Sequence, residues 1–284
     1  MNKSYQITNT KYLNHNDEYN DPHLYPEFQA KIQNFKDLLN SLIKSGEAKT
    51  FYKFGDGDYY FLKKEPKGSA KPGIRALKKP YFLINHKKFL DGAKKNDYYL
   101  SLIPNMHRKM FLETFGKEFD FPSEFVYGLT ANKWIFSNFD SKIGLIGADR
   151  KIELISNLME HNEYKEYLGL DKFSDYISIP QRFACDNLNK TKKNLINQIK
   201  NSEADIFLLG IGHVKSGVLH ELKKYKKAIY LDIGVGIDAI AGVVNINRPY
   251  FGNWKNFQFQ DSSIYNDIDI LINKKGNFGK INHL

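Results

Sequence analysis

The chain has 284 residues, of which 42% are hydrophobic and 26% are charged, which is the composition of a globular domain and not of a disordered segment. It contains one cysteine, Cys185, which excludes a disulfide framework and any zinc site built from several cysteines. The formal net charge is +10, but only five of the 42 basic residues are arginine and the lysines are spread along the chain. This pattern does not predict nucleic acid as a partner, although it is compatible with peripheral contact with an anionic membrane surface.

The sequence predicts neither a leader nor a membrane-spanning segment. The first 20 residues are polar and lack the apolar core of a signal peptide. The longest apolar stretch, residues 228–244, is too short to span a bilayer and is interrupted by Asp232 and Asp238. With the single cysteine, these features predict a cytoplasmic protein with a buried structural thiol.

In the first half of the chain, the apolar spacing predicts a helix over residues 27–44, and a strand is predicted at 50–54. A basic loop at 63–79, rich in proline and glycine, carries Arg75 and is suited to fold over a binding site. A strand at 97–103 and a helix at 107–115 follow.

The second half alternates short apolar strands with helical segments. The predicted strands are 142–146, 176–179, 205–209 and 228–231, and the predicted helices are 150–160, 187–201 and 214–224. Such alternation predicts βαβ units, and therefore a Rossmann-like α/β fold with a mostly parallel sheet and helices on both faces. We expect one domain over residues 1–284, with an N-terminal helical extension at 1–48 and a C-terminal tail at 245–284.

The most informative motif follows the first predicted strand, as the run Gly55-Asp56-Gly57-Asp58. It sets two carboxylates two residues apart on a turn, and its glycines permit positive φ and close approach of a ligand. Magnesium and manganese prefer oxygen ligands and usually arrive with substrate phosphates, so this pair suits a metal that carries a diphosphate. An ordinary Gly-Asp turn is the alternative, because short motifs also match by accident.

Other candidates follow other predicted strands, at the edge where open parallel sheets bind ligands. The turn from Gly210 through Gly212 to His213 precedes a helix, whose first amides favour phosphate. A tight turn without a ligand is equally compatible with this pattern. Lys53, just before the acidic turn, is able to neutralise a diphosphate, although a solvated lysine is the simpler interpretation.

The run from Asp232 through Gly234 to Gly236 resembles the Asp-x-Gly-x-Gly turn with which methyltransferases hold S-adenosylmethionine. In those enzymes the turn follows the first strand and further βα units come after it. Here the turn follows the last predicted strand. An S-adenosylmethionine-dependent methyltransferase is therefore an alternative function, as is a noncatalytic module that binds anions or glycans.

Taken in order, these motifs resemble the glycosyltransferases of the GT-D fold, over roughly residues 50–236. The matching features are the aromatic-Gly-Asp-Gly-acid turn, an Ile-Pro-x-x-x-Ala segment, the Leu-Leu-Gly turn and the late Asp-Ile-Gly. The resemblance implies a Rossmann-like enzyme in which Asp56 and Asp58 correspond to the carboxylates for metal and diphosphate. It places Gly210 and Gly212 in the nucleotide-side turn and matches Asp232 and Gly234 to the family's Asp-Ile-Gly.

Two positions depart from that family's pattern. The family usually has glutamate where this chain has Asp58, and arginine where it has Lys53. The shorter carboxylate changes the reach toward a metal, and lysine lacks the bidentate fork of arginine. The donor specificity is therefore less predictable than the reaction class.

The resulting prediction is a hexosyl- or pentosyltransferase that requires Mn²⁺ or Mg²⁺. Its donor is a nucleotide sugar, with UDP as the expected nucleotide, and its acceptor is a hydroxyl of a surface or glycoprotein glycan. Inversion at the anomeric carbon would require a base, for which Asp232 and Asp238 are candidates and Asp149 a weaker one. The predicted ligand-binding residues are Lys53, Gly55, Asp56, Gly57, Arg75, Gly210, Gly212 and His213, with Asp58 and Asp56 on the metal.

Overall fold

The computed structural model describes residues 5–6, 25–65, 67, 81–131, 133–139, 142–243 and 258–259. Seven strands form one parallel sheet in the order β4-β3-β2-β8-β7-β5-β6. They are β2 Thr50–Phe54, β3 Tyr98–Ser101, β4 Phe121–Pro122, β5 Ile143–Ala148, β6 Asp175–Ile179, β7 Ile206–Gly210 and β8 Ile229–Asp232. A separate antiparallel pair joins β1, Tyr5–Gln6, to β9, Gln258–Phe259.

Helices cover both faces of the sheet, which explains why its central strands are almost wholly apolar. The first face carries α1 Tyr25–Ser45, α5 Ser123–Ala131, α6 Trp134–Asn138, α7 Asp149–Leu158, α8 Asn162–Leu168 and α11 Gly236–Ile240. The second carries α2 Asp56–Leu62, α3 His86–Ala93, α4 Asn105–Phe115, α9 Leu188–Ile199 and α10 Val214–Leu222. A short 3₁₀ helix, Tyr81–Leu83, precedes α3. The predicted Rossmann-like α/β fold is confirmed.

The first predicted helix, at residues 27–44, is part of the hydrophobic core. Phe35 and Leu39 of α1 are fully buried and pack in the core of the first face. Cys185 is buried and free, as predicted, and burial raises the pKa of its thiol well above the usual range. The predicted tail at 245–284 lies outside the described residues, apart from 258–259.

The acidic run after β2 differs from the predicted turn, because α2 begins within it at Asp56. Gly55 is the N-cap with φ −146°, and neither it nor Gly57 is among the residues with positive φ. The positive φ that these two glycines permit is therefore not adopted. The side chain of Asp58 accepts a hydrogen bond from the Gly55 N–H at 3.0 Å, which closes the first turn of the helix.

The sheet reverses its direction of growth at its centre. On one side of β2, the strands β3 and β4 are added outward in chain order. On the other side, β8 lies next to β2 and joins it to the half of the sheet formed by β5, β6 and β7. Parallel α/β sheets bind ligands at the carboxyl end of such a switch point. Within the described part of the chain, no helix is both long enough and apolar enough to cross a membrane.

Candidate functional site

A buried ionic network lies beneath the switch point and joins β2, β8 and α10. The Nζ of Lys215 lies 2.7 Å from an oxygen of Asp232 and 3.1 Å from one of Asp58, and it donates a hydrogen bond to the carbonyl of Lys53. Asp232 also accepts from the backbone N–H of Lys53 at 3.2 Å and from that of Gly234 at 3.0 Å. The three donors of the Lys215 ammonium group therefore each have an oxygen acceptor.

Aromatic and hydroxyl groups enclose this network. The Tyr52 hydroxyl lies 2.7 Å from the Ser216 hydroxyl and 3.5 Å from Asp58, and its ring lies under the Lys215 ammonium. His213 Nδ1 lies 3.6 Å from Asp58, while the His213 ring stacks on Phe61. The first turn of α10 thus already has a protein carboxylate against it.

The pKa shifts agree with a mutually neutralising network. Burial alone would raise the pKa of Asp58, but the charge of Lys215, assisted by His213 and Lys53, holds that pKa well below its usual range. Burial would likewise lower the pKa of Lys215, but the charges of Asp232 and Asp58 raise it well above normal. Both groups are therefore charged at neutral pH, and the charges belong to the interior of the fold.

Lys53 is in a contrasting position at the end of β2. Its side chain is 9% exposed, yet no carboxylate within the described residues pairs with its Nζ. The Nζ lies 5.2 Å from the centre of the Tyr127 ring, and its stem lies against the backbone of Gly234. Gly234 has φ +51°, and a Cβ there would lie 3.3 Å from the Lys53 Cε and Nζ. Glycine therefore gives the lysine room beside the β8 turn.

Asp56 and His107 lie at the starts of two helices that follow β2 and β3. Asp56 is exposed in the first turn of α2, and His107 is half-buried in the first turn of α4. Burial lowers the pKa of His107, the charge of Asp56 raises it, and the charge of Lys53 lowers it further, which places the three groups within electrostatic reach. The buried Nδ1 of His107 has no hydrogen-bond partner in the described structure.

The sequence argument overlooked His107, because it pairs with no other histidine in the sequence. The available signal was positional. His107 follows β3, which pairs in parallel with β2 so that Phe54 lies opposite Ser101. The rule that selected residues after β2, β7 and β8 selects residues after β3 as well.

The two predicted metal carboxylates have different surroundings. A cation at Asp58 would lie beside the Lys215 ammonium, which already occupies that carboxylate, so Asp58 does not fit a metal ligand here. Asp56 is exposed and fits a cation that arrives with a diphosphate and keeps most of its other ligands. Among the described residues, no three His, Cys, Asp or Glu side chains converge on a closed metal site.

The glycine turn after β7 serves packing at one position. A Cβ at Gly210 would lie 2.5 Å from a carbon of Ile237, so this glycine lets α11 approach the sheet. Gly212 has φ +53° and is exposed, which leaves its backbone open to a ligand. His213 is buried against Asp58 and Phe61, and it faces the interior.

The remaining predicted residues do not lie together. Asp238, on α11, pairs with Lys151 of α7, and its side chain is 24% exposed. Asp232 is 1% exposed and enclosed by the network described above. Asp149 accepts a hydrogen bond from the Gln181 N–H at 3.1 Å, beyond β5. Arg75 lies outside the described residues.

No protein-family model matches this chain, and none of the curated proteins matches it. Among solved structures, it resembles a new glycosyltransferase (DUF1792) from Streptococcus sanguinis, at 15% sequence identity and a TM-score of 0.46. The alignment covers 80% of this chain and 93% of that one. A likeness of this size does not establish a family or an activity for the present chain.

Proposed function

We propose that the chain is a metal-dependent glycosyltransferase that uses a nucleoside diphosphate sugar, with UDP as the expected nucleotide. The observation that carries the proposal is Lys53, a buried cation with no carboxylate of the described residues within ion-pair distance, at the carboxyl end of β2. Removing a charge from water costs several kcal/mol unless it is paired, so such a lysine calls for an anion. The motif order that resembles the GT-D glycosyltransferases supports a donor diphosphate as that anion.

In this proposal Lys53 binds the departing diphosphate. Fixed charges in a site with little water stabilise developing negative charge more than they would in solution. Asp56 is the carboxylate open to the divalent cation, which when bound would add Lewis-acid stabilisation to the leaving group. The Asp58–Lys215–Asp232 network holds the β2 and β8 turns at a fixed separation, and so positions Lys53.

Asp238 is the more accessible of the two predicted bases. Its side chain is 24% exposed, whereas Asp232 is enclosed. It lies on α11, one turn beyond Gly234, where its carboxylate pairs with Lys151. If the reaction inverts the anomeric carbon, Asp238 takes the proton of the acceptor hydroxyl, and Lys151 orients it. The acceptor is proposed to be a glycan hydroxyl.

A thermal-shift panel of UDP, GDP and S-adenosylmethionine, each with and without Mn²⁺, followed by a donor-turnover assay, tests the function. A ligand that binds only the native state raises its melting temperature by mass action. We expect stabilisation by a nucleoside diphosphate that grows with Mn²⁺, and release of the nucleotide from a matching sugar donor. Stabilisation by S-adenosylmethionine alone would instead support a methyltransferase, and binding without turnover would support a noncatalytic module.

A further inference from the structure

Two adjacent apolar side chains lie in water on the short 3₁₀ helix that precedes α3. Phe82 is 85% exposed and Leu83 is 61% exposed, the highest values among the large hydrophobic side chains of the described residues. The next residue, Ile84, is buried, and Asn85 caps α3 by accepting a hydrogen bond from the Lys88 N–H at 3.1 Å. The segment is therefore fixed on both sides of the cap, and its apolar pair remains available to a partner.

The exposed face of α3 continues from this pair as a row of lysines. The opposite face of the helix is buried, with the Phe89 ring 5.0 Å from that of Phe61 in α2. Residues 81–95 contain four lysines and one aspartate, a net charge of +3 with histidine neutral. All four lysines are exposed, and they are Lys87, Lys88, Lys94 and Lys95. Lys87 remains 82% exposed although it pairs with Asp91 at 2.6 Å.

The end of α2 brings further positive charge to the start of α3. Nδ1 of His86, in the first turn of α3, lies 2.9 Å from the carbonyl oxygen of Phe61, in the last turn of α2. Glu65, just beyond α2, pairs with Lys67 at 2.9 Å. Two more exposed lysines come directly after α2, namely Lys63 and Lys64. The apolar pair therefore enters a helix whose exposed face and whose neighbour are both basic.

We infer that this surface, formed by Phe82, Leu83 and the exposed lysines of α3 and of the end of α2, docks the protein on an anionic lipid bilayer. Apolar side chains that enter the headgroup region and lysines that face anionic lipids together give peripheral binding. A protein partner fits this surface less well, because the cores of protein interfaces are depleted in lysine. No residue of the surface belongs to the site around Lys53, so the docking does not depend on the reaction proposed there.

Sedimentation of the full chain with lipid vesicles tests this assignment. We expect the protein to bind vesicles that contain phosphatidylserine and to stay in solution with pure phosphatidylcholine. Binding should weaken as the salt concentration rises, because salt screens the attraction between charges. A polynucleotide in place of the vesicles tests the other polyanion that a basic surface attracts.

Two variants separate the apolar and the charged contributions. Phe82→Ser combined with Leu83→Ser should bind phosphatidylserine vesicles about tenfold or more weakly, because the inserted apolar area is lost. Lys87→Glu should weaken binding about tenfold, because one charge is reversed at the membrane surface. Lys31→Glu, which makes the same change at an exposed lysine of α1 on the opposite face of the sheet, is the matched control and should bind as wild type. All of these side chains are exposed, so the melting temperatures should stay close to that of wild type.

Four outcomes would overturn the inference. Wild-type protein that stays in solution with both kinds of vesicle would exclude a lipid surface as the partner. Wild-type protein that binds the polynucleotide and neither vesicle would assign the surface to nucleic acid instead. Vesicle binding unchanged by the loss of Phe82 and Leu83 would contradict insertion. Equal losses in Lys31→Glu and Lys87→Glu would indicate a response to overall charge and not to this surface. Because the two kinds of vesicle are compared with wild-type protein, the test does not depend on the folding of any variant.

Discussion

Two lysines at the centre of the sheet show how the same residue type serves two purposes. Lys215 and Lys53 are both at least nine-tenths buried, and both lie at the junction of β2 and β8. Lys215 has two carboxylates and a carbonyl around its ammonium group, whereas the ammonium group of Lys53 lies over an aromatic ring, with no carboxylate of the described residues within ion-pair distance. The charge of Lys215 is neutralised within the fold, and the charge of Lys53 is the one that we propose to bind the donor diphosphate.

This difference shows how a group with a strongly shifted pKa should be interpreted. Shifted pKa values mark structural ion networks as well as functional sites, and Asp58 and Lys215 belong to the first kind. Lys53, by contrast, has no carboxylate of the described residues within ion-pair distance. The proposed ligand site therefore rests on the incomplete pairing of Lys53 and not on a shifted pKa.

The largest effect on stability is expected at Lys215. Replacing it by methionine, Lys215→Met, leaves Asp58 and Asp232 buried with no cation between them. Breaking a buried pair in this way costs about 3–5 kcal/mol of unfolding free energy. Urea denaturation of this variant and of Lys224→Met, an exposed lysine just beyond α10, measures the difference. A Lys215→Met protein as stable as Lys224→Met would contradict the structural role assigned to Lys215.

A smaller loss is expected for Asp58→Asn, because Lys215 keeps Asp232 as a partner. Hydrogen bonds to charged groups contribute about 2 kcal/mol, so a loss of that size is expected at pH 7. The sequence argument, which places Asp58 on a metal, instead predicts damage to function with the fold intact. Denaturation of Asp58→Asn decides between these interpretations, since a change below about 0.5 kcal/mol would favour an exposed role.

The same carboxylate gives a pH dependence with a definite sign. The folded pKa of Asp58 lies below its unfolded value of about 3.9, so its contribution is present above that value and is lost as pH falls through the folded pKa. The stability difference between wild type and Asp58→Asn should therefore shrink as pH is lowered from about 5. Denaturation curves for both proteins across this range provide the check. A difference that stays constant down to acid unfolding would contradict the assigned network.

The smallest effect on stability is expected at Asp238. Its pair with Lys151 is partly exposed, and such pairs contribute about 1 kcal/mol or less. If Asp238 is the acceptor base, Asp238→Asn should keep UDP binding and lose most transfer, since ground-state binding and catalysis are separable. Unchanged turnover would place the base elsewhere. Asp232→Asn should by contrast destabilise the protein, because its charge is enclosed.

Most strands of the sheet could be predicted from the sequence. The predicted strand at 50–54 matches β2, and the strands at 176–179 and 205–209 differ from β6 and β7 by about one residue. These segments are short apolar runs separated by amphipathic helices, so hydrophobic periodicity alone identifies them. The order of the strands across the sheet could not be predicted from the sequence, because strand pairing depends on contacts between distant segments.

The candidate site could be predicted from the sequence only in part. Sequence placed Lys53, Asp56, Asp58 and Asp232 at one edge, and the structure brings them there. It could not show that Lys215, the second residue of α10, reaches back to neutralise Asp58, because that contact spans more than 150 residues. The sequence also did not predict α2. The run Gly-Asp-Gly-Asp favours a turn locally, but in the structure it becomes helical through the cap at Gly55.

Calorimetric titration of UDP, in the presence of Mn²⁺, into wild type and Lys53→Met tests the central claim most directly. The account predicts that Lys53→Met binds UDP about tenfold or more weakly, while its unfolding free energy stays within about 1 kcal/mol of wild type. Lys224→Met, which removes the same charge at a distance, should keep wild-type affinity. Wild-type UDP affinity in Lys53→Met would contradict the claim, as would a loss of stability as large as that of Lys215→Met.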